Sequence, residues 1–145
     1  MPKIEDFFTA NEEQQVVNAI KTAETNTSGE IRVHIEKTTN KGALERATEV
    51  FYELKMNETQ LQNGVLFYVA TESHHFAVLG DKGINDLVPD NFWDTEKELA
   101  LSHFKKRKFA KGLELAILEA GKKLQEFFPY QSDDTNELSD EISKG

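Results

Sequence analysis

Residues 63–86, NGVLFYVATESHHFAVLGDKGIND, decide the fold because they encode the centre of a β-sheet and the loop that follows it. Residues 65–70 are apolar at every position and rich in β-branched and aromatic side chains, which is typical of a strand covered on both faces. Polar residues 71–74 predict a turn, and residues 75–79 predict an antiparallel return strand. We expect the two glycines of the loop at 80–83, which are free to take a positive φ, to let the loop aim its oxygen atoms at one point.

The residues before this stretch predict a helix, a strand and a second helix. Residues 9–12, TANE, match a capping box and predict a helix that begins there and stops before the polar run at 24–29. Residues 30–36 alternate between apolar and polar, which predicts a strand with one wetter face that includes His34. Apolar residues at helical spacing over 43–56 predict the second helix.

This order of elements brings separate segments to one place. Two strands joined by a helix normally run parallel through a right-handed crossover, so the strands at 30–36 and 65–70 should begin at the same edge of the sheet. The hairpin then returns the chain to that edge. We therefore expect residues 24–30, the region of Asn63 and residues 81–86 to lie close together.

The remaining sequence predicts two more helices and a tail. Residues 88–90, VPD, are typical of a helix start, and apolar spacing from Phe109 to Leu124 predicts a last helix that ends before Pro129. The predicted fold class is α/β, a three-layer α/β/α sandwich with a small mixed sheet made of a parallel βαβ unit plus an antiparallel hairpin. Residues 1–129 should form a single domain, and residues 130–145 an acidic disordered tail.

Composition limits the classes of function. The 17 Lys and Arg residues against 26 Asp and Glu residues give a net charge of -9, which disfavours nucleic acid and anionic lipid as partners and favours cations. The absence of cysteine excludes disulfides, thiolate metal sites and cysteine nucleophiles. Residues 1–15 hold no apolar run suited to a signal peptide, and no apolar segment approaches the roughly 20 residues needed to span a bilayer. We expect a cytoplasmic, soluble monomer without membrane insertion.

The loop after the hairpin carries the candidate metal ligands. Asp81, Asn85 and Asp86, together with Glu24 or Glu30 from the first converging segment, offer only oxygen ligands, which select Ca²⁺ or Mg²⁺ over softer metals. Ca²⁺ is favoured because it accepts irregular geometry. The spacing is not that of an EF-hand. In the alternative interpretation, Asp81 and Asp86 only stabilise turns or cap the following segment.

Five short motifs follow one another along the chain: TSGEIRV at 27–33, NGVL at 63–66, GDKGIN at 80–85, FW at 92–93 and FAKGL at 109–113. Taken together in this order, they resemble the TPM-domain family, which is named for a thylakoid lumen protein, a photosystem II repair protein and a levamisole-receptor modulator. The resemblance covers roughly residues 12–129. It implies an α/β/α sandwich, a site for calcium or another divalent cation in some members, and a proposed acid phosphatase activity.

Two hypotheses of function follow. In the first, the chain binds a divalent cation and has weak metal-assisted phosphatase activity on phosphomonoesters, with Asp81 and Glu30 as catalytic candidates. In the second, the chain is a non-catalytic module that binds a protein partner through a loop ordered by the metal. The sequence has no Asp-x-Asp nucleophile motif and no Arg-His-Gly triplet, so any hydrolysis would depend on the cation.

Overall fold

The computed structural model describes residues 8–73, 75–130 and 137–145. His74 of the predicted turn and residues 131–136 of the predicted tail lie outside the described residues. The elements within the described residues are, in chain order, α1 (Ala10–Glu24), β1 (Glu30–Glu36), α2 (Ala43–Glu53), a 3₁₀ turn (Met56–Glu58), β2 (Gly64–Ala70), β3 (His75–Gly80), α3 (Lys82–Asn85), α4 (Asp94–Phe104), α5 (Phe109–Leu124) and β4 (Ser143–Lys144).

The four described strands form one mixed sheet in the order β3-β2-β1-β4. Strands β1 and β2 are parallel, with Glu30 opposite Gly64 and Glu36 opposite Ala70. Strand β3 is antiparallel to β2, and β4 is parallel to β1 on its other side. Both the parallel βαβ unit and the antiparallel hairpin of the predicted fold are therefore confirmed. Every residue of β2 is buried, as expected for the central strand that its apolar run predicts.

Helices cover both faces of the sheet and make three layers. On one face, Ile31, Val33 and Ile35 of β1 join the apolar residues of α1, α4 and α5 in the larger core. On the other face, Leu66 and Tyr68 of β2 pack with residues of α2. In β2 the odd and even positions thus contribute to different cores, as the pleat of a strand requires. The predicted α/β/α sandwich is confirmed.

The helix starts show where local sequence signals were sufficient and where they were not. The capping box forms at α1, where Thr9 Oγ1 accepts from the Glu12 N–H and the Glu12 carboxylate accepts from the Thr9 N–H. Helix α4 begins at Asp94 rather than at residues 88–90. Its approach is a pair of tight turns with i to i+3 hydrogen bonds, because Trp93 at its N-cap must enter the core.

The described part of the C-terminal segment, residues 137–145, packs against the domain. Ile142 is only 8% exposed and belongs to the larger core. Ser143 and Lys144 form β4, and the Gly145 N–H donates to the Ile35 carbonyl at 2.9 Å. The expectation of a disordered tail does not describe these residues, because one apolar side chain and the open edge of β1 give the segment something to bind.

Within the described ranges, no helix combines the length and the apolar character that crossing a membrane would require.

Candidate functional site

The start of β1, the start of β2 and the end of β3 share one edge of the sheet. Glu30 pairs with Gly64 across the parallel ladder, and the Gly64 carbonyl accepts the Asp81 N–H at 2.9 Å. Asn63 holds this edge together, since its side-chain amide donates to the Ser28 carbonyl at 3.0 Å. Glu30 and Asp81 therefore lie in one row, separated by the first residue of β2.

Asp81 is the N-cap of the four-residue helix α3. Its Oδ1 atom accepts the Lys82 N–H at 2.7 Å, and its backbone carbonyl accepts from the following turn. Its Oδ2 atom is buried and has no hydrogen-bond partner in the described parts of the chain, and the residue is only 9% exposed. The capping role of the alternative interpretation is thus present, but it uses one oxygen of the carboxylate and leaves the other unsatisfied.

Gly83 of this loop is needed because there is no room for a side chain, and not because of its φ angle. Within the described residues no glycine has a positive φ, so the expectation of left-handed glycines beside Asp81 is wrong. A Cβ atom at Gly83 would instead lie 2.5 Å from the carbonyl oxygens of both Leu61 and Gln62. Glycine is required at this position because the first turn of α3 packs directly on the backbone that leads into β2.

Glu30 is 4% exposed, and its two carboxylate oxygens differ in the same way. Its Oε1 atom accepts the N–H groups of Glu137 and Leu138, the second at 2.9 Å. Its Oε2 atom is buried, and no described residue forms a hydrogen bond with it. Burial raises the pKa of this carboxyl, and the two backbone N–H groups oppose the rise.

Glu24, at the C-terminal end of α1, lies beside Glu30. Its Oε2 atom accepts the Ile31 N–H at 3.2 Å. Burial raises the pKa of Glu24 to about 9, and a hydrogen bond with Asp140 and the negative charges of Asp140 and Glu30 add to the effect. Asp140 was not expected here, because its segment carried no motif and was interpreted as a disordered tail.

The other two predicted ligands lie farther out on α3. The Asn85 side-chain amide donates to the Gly80 carbonyl at 2.9 Å, and Asp86 is the C-cap residue of the helix. Both residues are exposed. In the parts of the chain that the structure describes, no three side chains of Asp, Glu or His surround a common point that could hold a metal ion.

A second polar cluster, at the opposite end of β1, was missed by sequence reasoning. The buried carboxylate of Glu36 accepts two hydrogen bonds from Arg46, at 2.9 and 3.0 Å, one from the Tyr68 hydroxyl and one from His34 Nε2 at 3.1 Å. Burial opposes the ionised form of Glu36, but these donors outweigh it and lower the pKa of Glu36 to about 2. The alternating pattern of β1 showed that His34 and Glu36 point to the same face of the sheet, but it did not show which residues pair with them.

His34 belongs to this cluster and not to a wet face. It is only 5% exposed, and its Nδ1 atom lies 2.9 Å from Ser143 Oγ on the neighbouring strand β4. Burial lowers the pKa of His34, with the nearby Glu36 opposing the change. The prediction that His34 lies on an exposed face is wrong because β4 and α2 cover it.

Comparison with solved structures places this architecture among known folds. The NMR structure of the BA42 protein from the psychrophilic bacterium Bizionia argentinensis is 53% identical in sequence, covers 100% of both chains and superimposes with a TM-score of 0.92. The N-terminal domain of a protein from P. gingivalis is 12% identical, with a TM-score of 0.68 over 86% of this chain and 82% of that one. The N-terminal domain of the cg2496 protein from Corynebacterium glutamicum is 10% identical, with a TM-score of 0.62 over 95% and 81%. The last two likenesses concern the fold alone.

Sequence comparison gives the family. No curated protein matches the chain. The family model described as the TPM domain matches residues 3–123, which include the segments that carry Glu30 and Asp81. The chain belongs to the TPM-domain family.

Proposed function

We propose that this chain binds a divalent cation, with Ca²⁺ favoured over Mg²⁺, at the sheet edge that carries Glu30 and Asp81. The observation that supports the proposal is that each residue buries one carboxylate oxygen that has no hydrogen-bond partner among the described residues. Leaving a polar group buried and unpaired costs about 1–3 kcal/mol, and more when the group is charged. A hard cation would satisfy both oxygens, since carboxylates are the ligands that Ca²⁺ and Mg²⁺ prefer.

The remaining predicted ligands would contribute less. Glu24 lies beside Glu30 and can supply a further oxygen once a cation replaces its proton. Asn85 and Asp86 are exposed and would act at the rim. With few protein ligands the ion would retain several waters, which both Ca²⁺ and Mg²⁺ tolerate. We therefore expect weak binding, with a dissociation constant on the order of 0.1–1 mM.

A calcium titration followed by ¹⁵N NMR tests the proposal. We expect saturable shifts at the amides of Glu30 and of residues 80–86. The variants Glu30→Gln and Asp81→Asn should each weaken binding by about tenfold or more, since each removes a charged ligand. Asp90→Asn is the matched control, because Asp90 is exposed and lies outside the row. Absence of a saturable response up to about 10 mM Ca²⁺ would refute the cation site.

The exposed surface beside the Asp81 loop favours a non-catalytic interaction module. Two leucines near the Asp81 loop, Leu61 and Leu87, are 49% and 55% exposed. Leu61 contacts the loop through its carbonyl oxygen beside Gly83, and Leu87 follows α3 directly. A cation that fixed this loop would also fix an apolar surface for a protein partner.

Weak phosphatase activity is the second candidate. The described histidines do not lie at the site: His34 is held by Glu36 and Ser143, and His75 pairs with Ala70 at the far end of the hairpin. His103 lies on α4, where its Nδ1 atom is 2.9 Å from the Leu99 carbonyl. Acid or base catalysis would then depend on Glu30 or Asp81 themselves.

The hydrolysis of p-nitrophenyl phosphate with and without Ca²⁺ or Mg²⁺ tests this candidate. If the site hydrolyses the substrate, turnover should require the cation and fall by at least about tenfold in Asp81→Asn. Equal turnover in this variant would assign the activity to another part of the chain or to a contaminant.

A further inference from the structure

An open cavity of about 290 Å³ lies on the α2 side of the sheet, between β1, the turn that follows α2 and the C-terminal segment. Its lining includes Arg32, Lys55, Glu137 and Leu138. Arg32 lies two residues after Glu30 on the same strand. The cavity therefore borders the candidate cation site without using its carboxylates.

Arg32 has no partner among the described residues. Its Nε atom is buried and makes no hydrogen bond, and no described carboxylate forms an ion pair with its guanidinium. A guanidinium stays protonated in proteins, so it cannot relieve this situation by losing its proton. A buried donor of a charged group that stays unpaired carries a large desolvation cost.

Arg46 is an arginine with a structural role, and its hydrogen bonds can be compared with those of Arg32. Arg46 makes two hydrogen bonds with Glu36 and one each with Glu49 and Glu53. Its planar fork is filled by carboxylate oxygens. Arg32, on the strand β1, presents the same fork, and none of the described residues binds to it.

The chemistry of the cavity selects the ligand. Lys55, held in the left-handed region at φ 58°, adds a second cationic side chain with no ion pair among the described residues. The acidic side chains that line the cavity do not fill the fork: Glu137 accepts the Gln60 N–H, and Glu58 is exposed. A group with two or more negatively charged oxygens in one plane or tetrahedron matches the donors of a guanidinium.

We propose that the Arg32 cavity binds the carboxylate or phosphate group of a small anionic ligand. Arg32 supplies the paired donors, and Lys55 supplies charge at the rim. Because two acidic side chains also line the cavity, we expect a dissociation constant on the order of 1 mM for the isolated anion. The proposal does not depend on the cation site.

The test is an NMR titration of the full chain in the presence of a chelator, with inorganic phosphate or acetate added and ionic strength kept constant with chloride. Either anion should cause saturable shifts of the Arg32 Nε–Hε resonance and of the Lys55 and Leu138 amides. The two arms distinguish the sources: a response to phosphate alone identifies a phosphate site, and a response to acetate alone identifies a carboxylate site. The chelator removes divalent cations, so the outcome for the anion does not depend on whether the cation site exists.

Two variants and one control sharpen the test. Arg32→Gln should weaken anion binding by about tenfold or more, and Arg32→Lys, which keeps the charge but loses the fork, should weaken it several-fold. Arg107→Gln removes the same charge from an exposed position outside the cavity and should leave binding unchanged. No saturable response of Arg32, or equal binding by wild type and Arg32→Lys and Arg32→Gln, would overturn the proposal. If Arg32→Gln does not fold, the Nε–Hε resonance of the wild type decides.

Discussion

The carboxylate of Glu36 is a buried charge whose partners come from two other elements. Arg46 of α2 and Tyr68 of β2 both donate to it. Their donors hold its pKa at about 2 in the folded state, below the ordinary value of 4.5. Because the folded pKa is depressed, this group stabilises the protein above pH 4.5, and the stabilisation is lost as the pH falls toward 2.

We therefore predict an acid-dependent loss of stability of roughly 2–3 kcal/mol from this one residue. Urea unfolding of wild type and Glu36→Gln between about pH 5 and pH 2 measures it. The variant should be less stable at pH 5 and show a shallower decline. Glu45→Gln, which removes an acid from the exposed surface of α2, is the control and should follow the wild type. Parallel curves for Glu36→Gln and wild type would contradict the prediction.

The second prediction concerns His34, which is a basic group where Glu36 is an acidic one. Burial between β4 and α2 disfavours its charged form, so its pKa is lower than the ordinary 6.5. Its contribution to stability is complete above pH 6.5 and is lost as the pH falls through the folded pKa, because the unfolded chain binds the proton more readily. The NMR titration of its ring protons should therefore have a midpoint below 6.5. A midpoint at or above that value would show that the ring is solvated.

At the scale of residues, the sequence predicted where a side chain lies in the sheet better than it predicted which groups surround that side chain. The rows that bring Glu30 and Asp81 to one edge follow from strand order, which the sequence carries. The donors to Glu30 come from residues 107 and 108 positions later in the chain, in a segment without periodicity or motif. Local patterns contain no information about such a contact.

Helix α3 is the element that positions Asp81, and Gly83 is the point where it touches the rest of the fold. Replacing Gly83 with alanine would force a methyl group against the carbonyl oxygens of Leu61 and Gln62, which are backbone atoms and cannot swing aside. We predict that Gly83→Ala lowers the free energy of unfolding by about 1–3 kcal/mol. It should also weaken Ca²⁺ binding, because α3 must move away from β2.

Thermal unfolding and the calcium titration measure these two effects. Gly42→Ala is the control, since an added methyl group at this N-cap position meets nothing within 4 Å. Its cost should stay under about 1 kcal/mol, as expected for a change of cap residue. Equal effects of the two substitutions would show that α3 is not held by close packing at Gly83.

At the scale of elements, long periodic segments were predicted well and short irregular ones were not. The capping box and apolar spacing gave α1 and α5, whose signals are local. Helix α3 has four residues, too few to show a helical period, and it was predicted as a loop. The start of α4 was displaced because Phe92 and Trp93 pack in the core through tight turns that resemble a helix start in sequence.

At the scale of the whole molecule, the C-terminal segment adds the short edge strand β4 to the sheet beside β1. Ile142 anchors the segment in the larger core, and Gly145 bonds to β1. We predict that Ile142→Ala loosens residues 137–145, because the anchor loses most of its buried apolar area, at a cost of about 2 kcal/mol. Amide hydrogen exchange of Gly145 should then accelerate.

The same measurement on Leu101→Ala is the control, since Leu101 is 44% exposed on α4 and contributes little to packing. Loosening the segment should also change the site, because the Glu137 and Leu138 amides bond to Glu30. Unaltered exchange at Gly145 in Ile142→Ala would show that β4 is held by its backbone pairing alone.

The position of β4 in the chain has a consequence for biosynthesis. Translation proceeds from the amino to the carboxyl end, and Ser143 follows its partner His34 by 109 residues. At about 5–20 residues per second, the ribosome needs roughly 5–20 s to cover that distance. Until then the outer backbone groups of β1 that β4 covers, at His34 and Ile35, lack this partner strand. An open strand edge can pair with another chain, so we expect nascent chains to be more prone to edge-to-edge association before β4 is made than after it.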